Sequence, residues 1–343
     1  MYVLYTDDSI LAGPDKEELD KAVQDMRDAK LNLTVEGQLE DFLGVNINRQ
    51  DDKFVLTQPK LIQSIIEELG LDSEGDRAPN IKDIPMQSSK ILGRHSDSQD
   101  FDRHFHNRRI IGKLNFLADS TRGDIAYPTH HMARFVSNPK KEHGEAIKWL
   151  GRYLAGTKDK GLILNPDPTK GVEIYPDSSF CQDWDPELAG QDMDTARSRY
   201  GFIITYTGVP LIWKSLLPTE ICLSTTEAKL VGLSQSLRVA IPIINILNEM
   251  KEYGFDILPK EPVVHCKLFE DSSGALAIAK FPKMRPRTKH INVKYFHFVE
   301  FTTREDNPFE FLKIGTDDQP ADMLTKPLSF DPFIKHRRWL LGW

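Results

Sequence analysis

Four carboxylates in the second half of the chain, Asp177, Glu227, Asp271 and Asp322, sit where predicted strands end or predicted helices begin. Gathered at one edge of a sheet, they would repel one another unless cations neutralised them. Hard oxygen donors favour Mg2+ or Mn2+, and two such ions about 4 Å apart suit in-line attack of water on a phosphodiester. Each acid also fits a local role. Asp177 lies in Pro176-Asp177-Ser178-Ser179, a turn-forming string, and Glu227 follows Ser224 at the spacing of a capping box. Asp271 suits a helix cap, and Asp322 suits a first helical turn where a carboxylate complements the dipole. Spacing alone leaves both readings open.

The elements that would position these acids follow from hydrophobic periodicity. Val172–Asp177, Gly201–Tyr206 and Pro210–Lys214 read as strands, followed by a long helix from Thr225 to about Glu249. Strand Val263–Glu270, helices over Ala275–Lys280 and Val293–Phe301, strand Phe309–Ile314 and a final helix from Pro320 complete the order. Three strands in hairpins and then strands alternating with helices predict an α/β domain with a mixed sheet covered by helices. Upstream, Tyr2–Gly13 reads as a β-hairpin with Asp7 and Asp8 at its turn, and Asp15–Lys30 as a helix with Leu19, Ala22, Val23 and Met26 on one face. Short strands follow near Leu31–Val35 and Phe42–Asn48. A helix then starts at Pro59 and stops at Gly70. The Ser-, Asp-, Pro- and Gly-rich stretch from Leu71 to about Asp102 reads as loop, and helices are expected over Arg108–Leu117 and Pro139–Leu154. The Pro-rich turn Asn165–Pro168 places a domain boundary near residues 160–170.

At 343 residues the chain is long enough for two domains, and 40% apolar with 28% charged residues fits a globular protein rather than a disordered or disulfide-stapled one. Cys181, Cys222 and Cys266 are too few and too dispersed for a disulfide framework. The expected setting is intracellular, cytoplasmic or nuclear, with no signal peptide, no membrane-spanning run and no membrane partner. A net charge of −7 means that any nucleic acid must be held by local basic patches. Lys280, Lys283, Arg285, Arg287, Lys289, His290 and Lys294 form a run with no intervening acid, and are the leading phosphate-contact candidates; the rival reading is a solvated basic face. Lys140, Lys141, Lys148 and Arg152 make a second patch diluted by Glu142 and Glu145. His104, His106, His130 and His131 lack the spacing of a metal motif and read as surface or packing residues. Asp271-Ser272-Ser273-Gly274 departs from the Asp-Ser/Thr-Gly loop of an aspartic protease.

Several strings together resemble the Pol polyprotein of copia-type long-terminal-repeat retrotransposons, in its C-terminal part, nearly end to end. Tyr5-Thr6-Asp7-Asp8 resembles the reverse transcriptase turn motif Tyr-Val-Asp-Asp. Ile111–Leu117, Thr121–Ala126 and Arg152–Thr157 resemble the family's connector. Tyr175-Pro176-Asp177, Ser224–Ala228, Glu270–Ser273, Thr288–Ile291 and Gln319–Leu328 resemble its ribonuclease H part. There are departures. The first motif usually continues Asp-Ala-Asp-Trp where this chain has Asp177-Ser178-Ser179-Phe180, and the helix motif usually reads Glu-Ala-Glu-Tyr where this chain has Glu227-Ala228-Lys229-Leu230. Gly315–Asp318, before the last acid, contains no His, although many ribonucleases H carry one there.

The resemblance implies a truncated reverse transcriptase palm and thumb over residues 1–70, a helical connector over 71–165, a ribonuclease H-like mixed five-stranded sheet with flanking helices over 166–330, and a tail over 331–343. It implies a hydrolase that cuts the RNA strand of RNA–DNA hybrids with two Mg2+ or Mn2+ ions. Asp177 and Asp271 would hold or bridge the ions, Glu227 would ligate one near the scissile phosphate, and Asp322 would hold the other. Hybrid recognition would rest on groove shape and 2′-hydroxyls. Other Pol products are possible partners. The alternative is a non-catalytic nucleic-acid-binding remnant. Asp7 and Asp8 are expected to be relic polymerase ligands, because the third palm carboxylate and the fingers do not precede Met1, so no DNA synthesis is expected of this chain alone.

Overall fold

In a computed structural model the structure describes residues 1–6, 8–37, 39–72, 80–87, 92–94, 99–101, 104–187, 190, 192–257, 266–280, 298 and 309–343. The element nearest the N-terminus is an antiparallel hairpin, β1 (Tyr2–Tyr5) and β2 (Asp8–Leu11). Helix α1 (Lys16–Asp28) follows, with the Asp15 carboxylate accepting from the Glu17 N–H at 2.7 Å. Strands β3 (Asp41–Phe42), β4 (Val45–Gln50) and β5 (Lys53–Thr57) lead into α2 (Pro59–Glu68). Pro59 opens α2, where its missing N–H costs nothing, and Gly70 closes it with a φ of +66° that disfavours a side chain. Leu31–Val35, expected as a strand, is irregular.

The helices α3 (Asn107–Ser120), α4 (Ala126–Ala133) and α5 (Lys141–Gly156) precede β6 (Leu162–Leu164), which pairs antiparallel with β5. Helix α4 escaped the sequence reading because its face is nearly all buried, so it carries no amphipathic period. Strands β7 (Val172–Ser179), β8 (Arg199–Tyr206) and β9 (Val209–Leu216), helix α6 (Thr225–Glu252), strand β10 (Cys266–Glu270), helix α7 (Ser273–Lys280), strand β11 (Phe309–Lys313) and helix α8 (Phe330–Leu341) form the second half. The expected helix over residues 293–301 lies outside the described residues, apart from Phe298.

The main sheet has five strands in the order β11-β10-β7-β8-β9, mixed as expected: β10 is parallel to β7 and β11, while β8 and β9 are antiparallel neighbours. Period-two alternation sends its apolar side chains to two faces. Val172, Ile174, Phe202 and Ile204 meet Leu233, Leu237, Ala240 and Ile244 of α6. Tyr175, Ile203 and Trp213 point the other way and join Ile62, Leu114, Leu150, Phe333 and Leu340 in a second core.

That second core corrects two expectations. The boundary near residues 160–170 does not separate two interiors, because the helices α2–α5 are packed on the back of the sheet. Nor are residues 331–343 a tail: α8 buries Phe333, Leu340 and Leu341 in the same core. The stretch after Gln319 is a 3-10 turn, Pro320–Leu324, before α8 begins. A third correction concerns α6, which has an 18-residue window of mean hydropathy 1.6, long and apolar enough by composition to cross a membrane. Since 61% of that window is buried, chiefly against the sheet, its apolarity is accounted for as a core helix.

A candidate site at the carboxyl ends of β7 and β10

Parallel pairing of β7 and β10 puts their carboxyl ends at one sheet edge, which places Asp177 and Asp271 together. The start of α6 is pressed onto the same edge. Ser178 Oγ donates to the Ala228 carbonyl at 2.8 Å. A Cβ on Gly232 would meet Ser178 Oγ at 2.6 Å and the Asp177 carbonyl oxygen at 3.0 Å, so the close approach needs glycine there. Gln319 ties the Pro320–Leu324 turn to the same edge, its Nε2 donating to the Pro176 carbonyl at 3.0 Å and the Phe269 carbonyl at 3.1 Å. Gln319 is fully buried and holds Asp322 in place, a role that the sequence reading did not assign.

The side chain that occupies the space between the two aspartates is Lys229. Its Nζ donates to Asp177 Oδ1 and, at 2.6 Å, to Asp271 Oδ1. All three groups are nearly buried. Asp177 also accepts from Thr325 Oγ1 at 2.5 Å, and Lys313 Nζ donates to the Asp271 carbonyl. Asp322 is paired with Lys326 at 2.7 Å.

Glu227 stands apart. Its carboxylate accepts from the Leu223 N–H at 2.7 Å, while its own N–H donates to Ser224 Oγ at 3.1 Å. Ser224 thus caps the helix as its spacing suggested, while the carboxylate turns to the Leu223 N–H and not to that of Ser224, so the full capping box is not made; the contact still engages the side chain expected to ligate metal. The reason is helical geometry: residues two apart on an α-helix face about 200° apart, so positions 227 and 229 do not both address the sheet edge. Position 229 does. Among the described residues no group of three or more His, Cys, Asp or Glu side chains is arranged to hold a metal ion.

The electrostatics follow these partners. Burial would push Asp177 up, but the Lys229 ammonium outweighs it and holds the carboxyl below its usual value. Burial would likewise favour neutral Lys229, yet Asp177 and Asp271 keep it charged and raise it. Asp322 goes the other way: burial and the adjacent Asp177 charge push it up to about 6 despite Lys326. Glu270, at the end of β10, is fully buried and pushed up to about 8, burial outweighing Lys229 and a hydrogen bond from the Ser272 N–H. His336 of α8, whose field includes Asp177, is held down to about 4 by burial, Lys335 and Lys326.

Of the other expected residues, Lys280 is exposed at the end of α7, whereas Lys283, Arg285, Arg287, Lys289, His290 and Lys294 lie outside the described residues. Asp8 is exposed in β2, and Asp7 lies outside the described residues. His131 is buried between the rings of Tyr127 and Phe135, and His106 caps α3 by accepting from the Arg109 N–H at 3.3 Å.

No protein-family model matches the chain. It is 30% identical over 334 residues to the retrovirus-related Pol polyprotein from transposon TNT 1-94 of Nicotiana tabacum, covering 96% of this chain and 23% of that protein. With the Pol polyprotein from transposon RE1 of Arabidopsis thaliana it shares 29% identity over 331 residues, 96% of this chain and 21% of the relative. The chain belongs to the Pol polyproteins of copia-type retrotransposons. It spans less than a quarter of the length of these two relatives. A crystal structure of LC11-RNase H1 in complex with RNA/DNA hybrid is similar at a TM-score of 0.28 and 16% identity, covering 45% of this chain and 92% of that one. Within this copia-type Pol chain, position 229 is the one on α6 that faces the site, and it is occupied by Lys229.

Proposed function

We propose that residues 166–330 form the ribonuclease H-type module of a copia-type Pol protein, and that in this chain the module grips RNA–DNA hybrids without cutting them. Family membership and the mixed five-stranded sheet support the module. One observation supports the absence of cutting, the Lys229 ammonium hydrogen-bonded to both Asp177 and Asp271.

The donor set does not fit the pair of divalent ions that the family implies. Asp177 and Asp271 already hold a cation, Asp322 is paired with Lys326, and Glu227 serves its own helix terminus. Hydrolysis of the RNA strand was the leading sequence-based reading, and it needs those oxygens free. The remnant reading needs only a basic surface beside the sheet edge. Lys280 is exposed at the end of α7, the basic residues from Lys283 to Lys294 follow it in sequence as the candidates for that charge, and contacts to phosphates position a duplex without reading its bases.

Anisotropy titrations of a labelled RNA–DNA hybrid, paired with a cleavage assay in Mg2+ or Mn2+, test the proposal. The expected result is salt-dependent binding with little sequence preference and no metal-dependent product. Product formation that Asp271→Asn abolishes would reinstate the hydrolase. Absence of hybrid binding at low salt would sink both readings.

A further inference from the structure

The ammonium at the sheet edge does more than obstruct. We propose that Lys229 is a resident cation in place of a divalent ion, and that a single substitution, Lys229→Glu, turns this edge into a metal site. The inference rests on the module assignment above only for the kind of ion; the geometry stands by itself.

Three aspartates and three lysines meet here. Lys229 holds Asp177 and Asp271, Lys326 holds Asp322, and Lys313 reaches the Asp271 carbonyl. A divalent ion approaching this set meets carboxylates already neutralised, and it must displace an ammonium that is itself nearly buried. The same pairing explains how acids that would otherwise repel remain packed together: a covalently tethered cation does the neutralising.

Position 229 is the lever, because its backbone already aims a side chain between the two carboxylates. A Glu side chain is one bond shorter than a Lys side chain. Substitution therefore withdraws the terminal atom from both aspartates while adding a third carboxylate. The terminal atom now stands 2.6 Å from Asp271 Oδ1, and a retreat by one bond opens the oxygen-to-oxygen gap to roughly 4 Å, about two Mg2+–oxygen distances. Substituting Glu227 offers no such gain, since that side chain faces the Leu223 N–H.

The test is a Mn2+ titration of the full chain, following free Mn2+ by electron paramagnetic resonance and unfolding by thermal melting. For the wild-type chain, affinity within twofold of the Asp271→Asn variant is expected, because neither has an open site. Lys229→Glu is expected to bind at least tenfold more tightly than wild type and to melt higher as Mn2+ is added. Both gains should vanish when Asp271→Asn is added. Wild-type binding tenfold tighter than Asp271→Asn would overturn the proposal, since the ammonium would then not exclude the ion. A folded Lys229→Glu chain, judged by circular dichroism, that binds no better than wild type would overturn it too. Should that variant not fold, the comparison of wild type with Asp271→Asn still decides. Hybrid binding is measured separately: its failure would remove the proposed function and leave the Mn2+ result untouched.

Discussion

Two acidic regions of this chain carry opposite lessons. At the N-terminal hairpin, Asp8 is exposed, and so are Tyr2, Val3, Leu4 and Tyr5, and none of the hairpin's described residues is buried. At the edge of the five-stranded sheet, Asp177, Asp271 and Asp322 are nearly buried, and a lysine ammonium meets each one. The first region has the sequence of a site, and its described residues have none of the enclosure. The second has enclosure so complete that its charges are already committed to one another. A carboxylate does site chemistry when it is fixed and yet free to take a ligand; the hairpin lacks the first condition and the sheet edge the second.

The largest effect that would break this contrast is at Lys229. Removing one partner of a buried ion pair leaves charge uncompensated, which costs about 3–5 kcal/mol. Lys229→Met should therefore lower unfolding free energy by about that much in urea titrations. Adding Asp271→Asn to Lys229→Met should recover part of the loss, as expected for groups in direct contact. A cost below about 1 kcal/mol would mean that the three groups are solvated rather than locked together.

A comparable loss is expected behind the sheet. Arg122 and Asp124 are both fully buried, bonded at 2.9 and 2.8 Å, and Tyr153 Oη donates to the same carboxylate at 2.5 Å. Asp124→Ala leaves the Arg122 guanidinium without a counter-charge beside the aromatic rings of Tyr153 and Trp343, with its bonds to Thr157 remaining. Equilibrium unfolding should register about 3 kcal/mol or more. A much smaller loss would show that the ion pair at the site, and not burial of charge in general, dominates stability.

Glu270 sharpens the comparison through pH. Its folded-state value of about 8 lies above its ordinary 4.5, so the native chain keeps a proton that the unfolded chain has released. Stability from that proton is present at low pH and is lost as pH rises through about 8. Asp322 changes charge near 6, and His130, His131 and His336, all held below their ordinary 6.5 by burial, change charge no higher than that, so the upper part of the window from about 6.5 to 8 reports Glu270. Melting temperature should fall across that window, by an amount equivalent to about 2 kcal/mol. Glu270→Gln should flatten the slope. A slope unchanged by the substitution would place the titrating group elsewhere.

How much of this was legible beforehand depended on whether a signal was local. The order of strands and helices in the second half could be read because alternation and amphipathic stripes reside in contiguous residues, as in Val172–Ile174 or Leu233–Leu237. Helix α4 was missed because burial on all sides erases periodicity. The packing of α8 onto the back of the sheet was missed because the sharing of one core by Leu340 and Trp213 leaves no mark in either neighbourhood. At the site, the spacing from Ser224 to Glu227 marked the N-cap, although the Glu227 carboxylate bonds the Leu223 N–H and not the Ser224 N–H of a capping box, and nothing local told which of two helix positions faced β7. That answer comes from the rotation of α6 against the sheet, set by Gly232 and Ser178.

The smallest expected effect is also the one that tests the contrast from its weak side. If the hairpin acid is uncommitted, removing it should cost almost nothing. Helix α1 beside it has Leu19, Ala22, Val23 and Met26 in a stripe, yet no residue of that helix is buried, so there is no packed surface for Asp8 to support. Asp8→Ala should stay within about 0.5 kcal/mol of wild type in urea unfolding, and should leave hybrid affinity unchanged. A loss comparable with that at Lys229 would require the hairpin to be fastened to a core after all, and the distinction between an exposed acid and an enclosed one would no longer separate these regions.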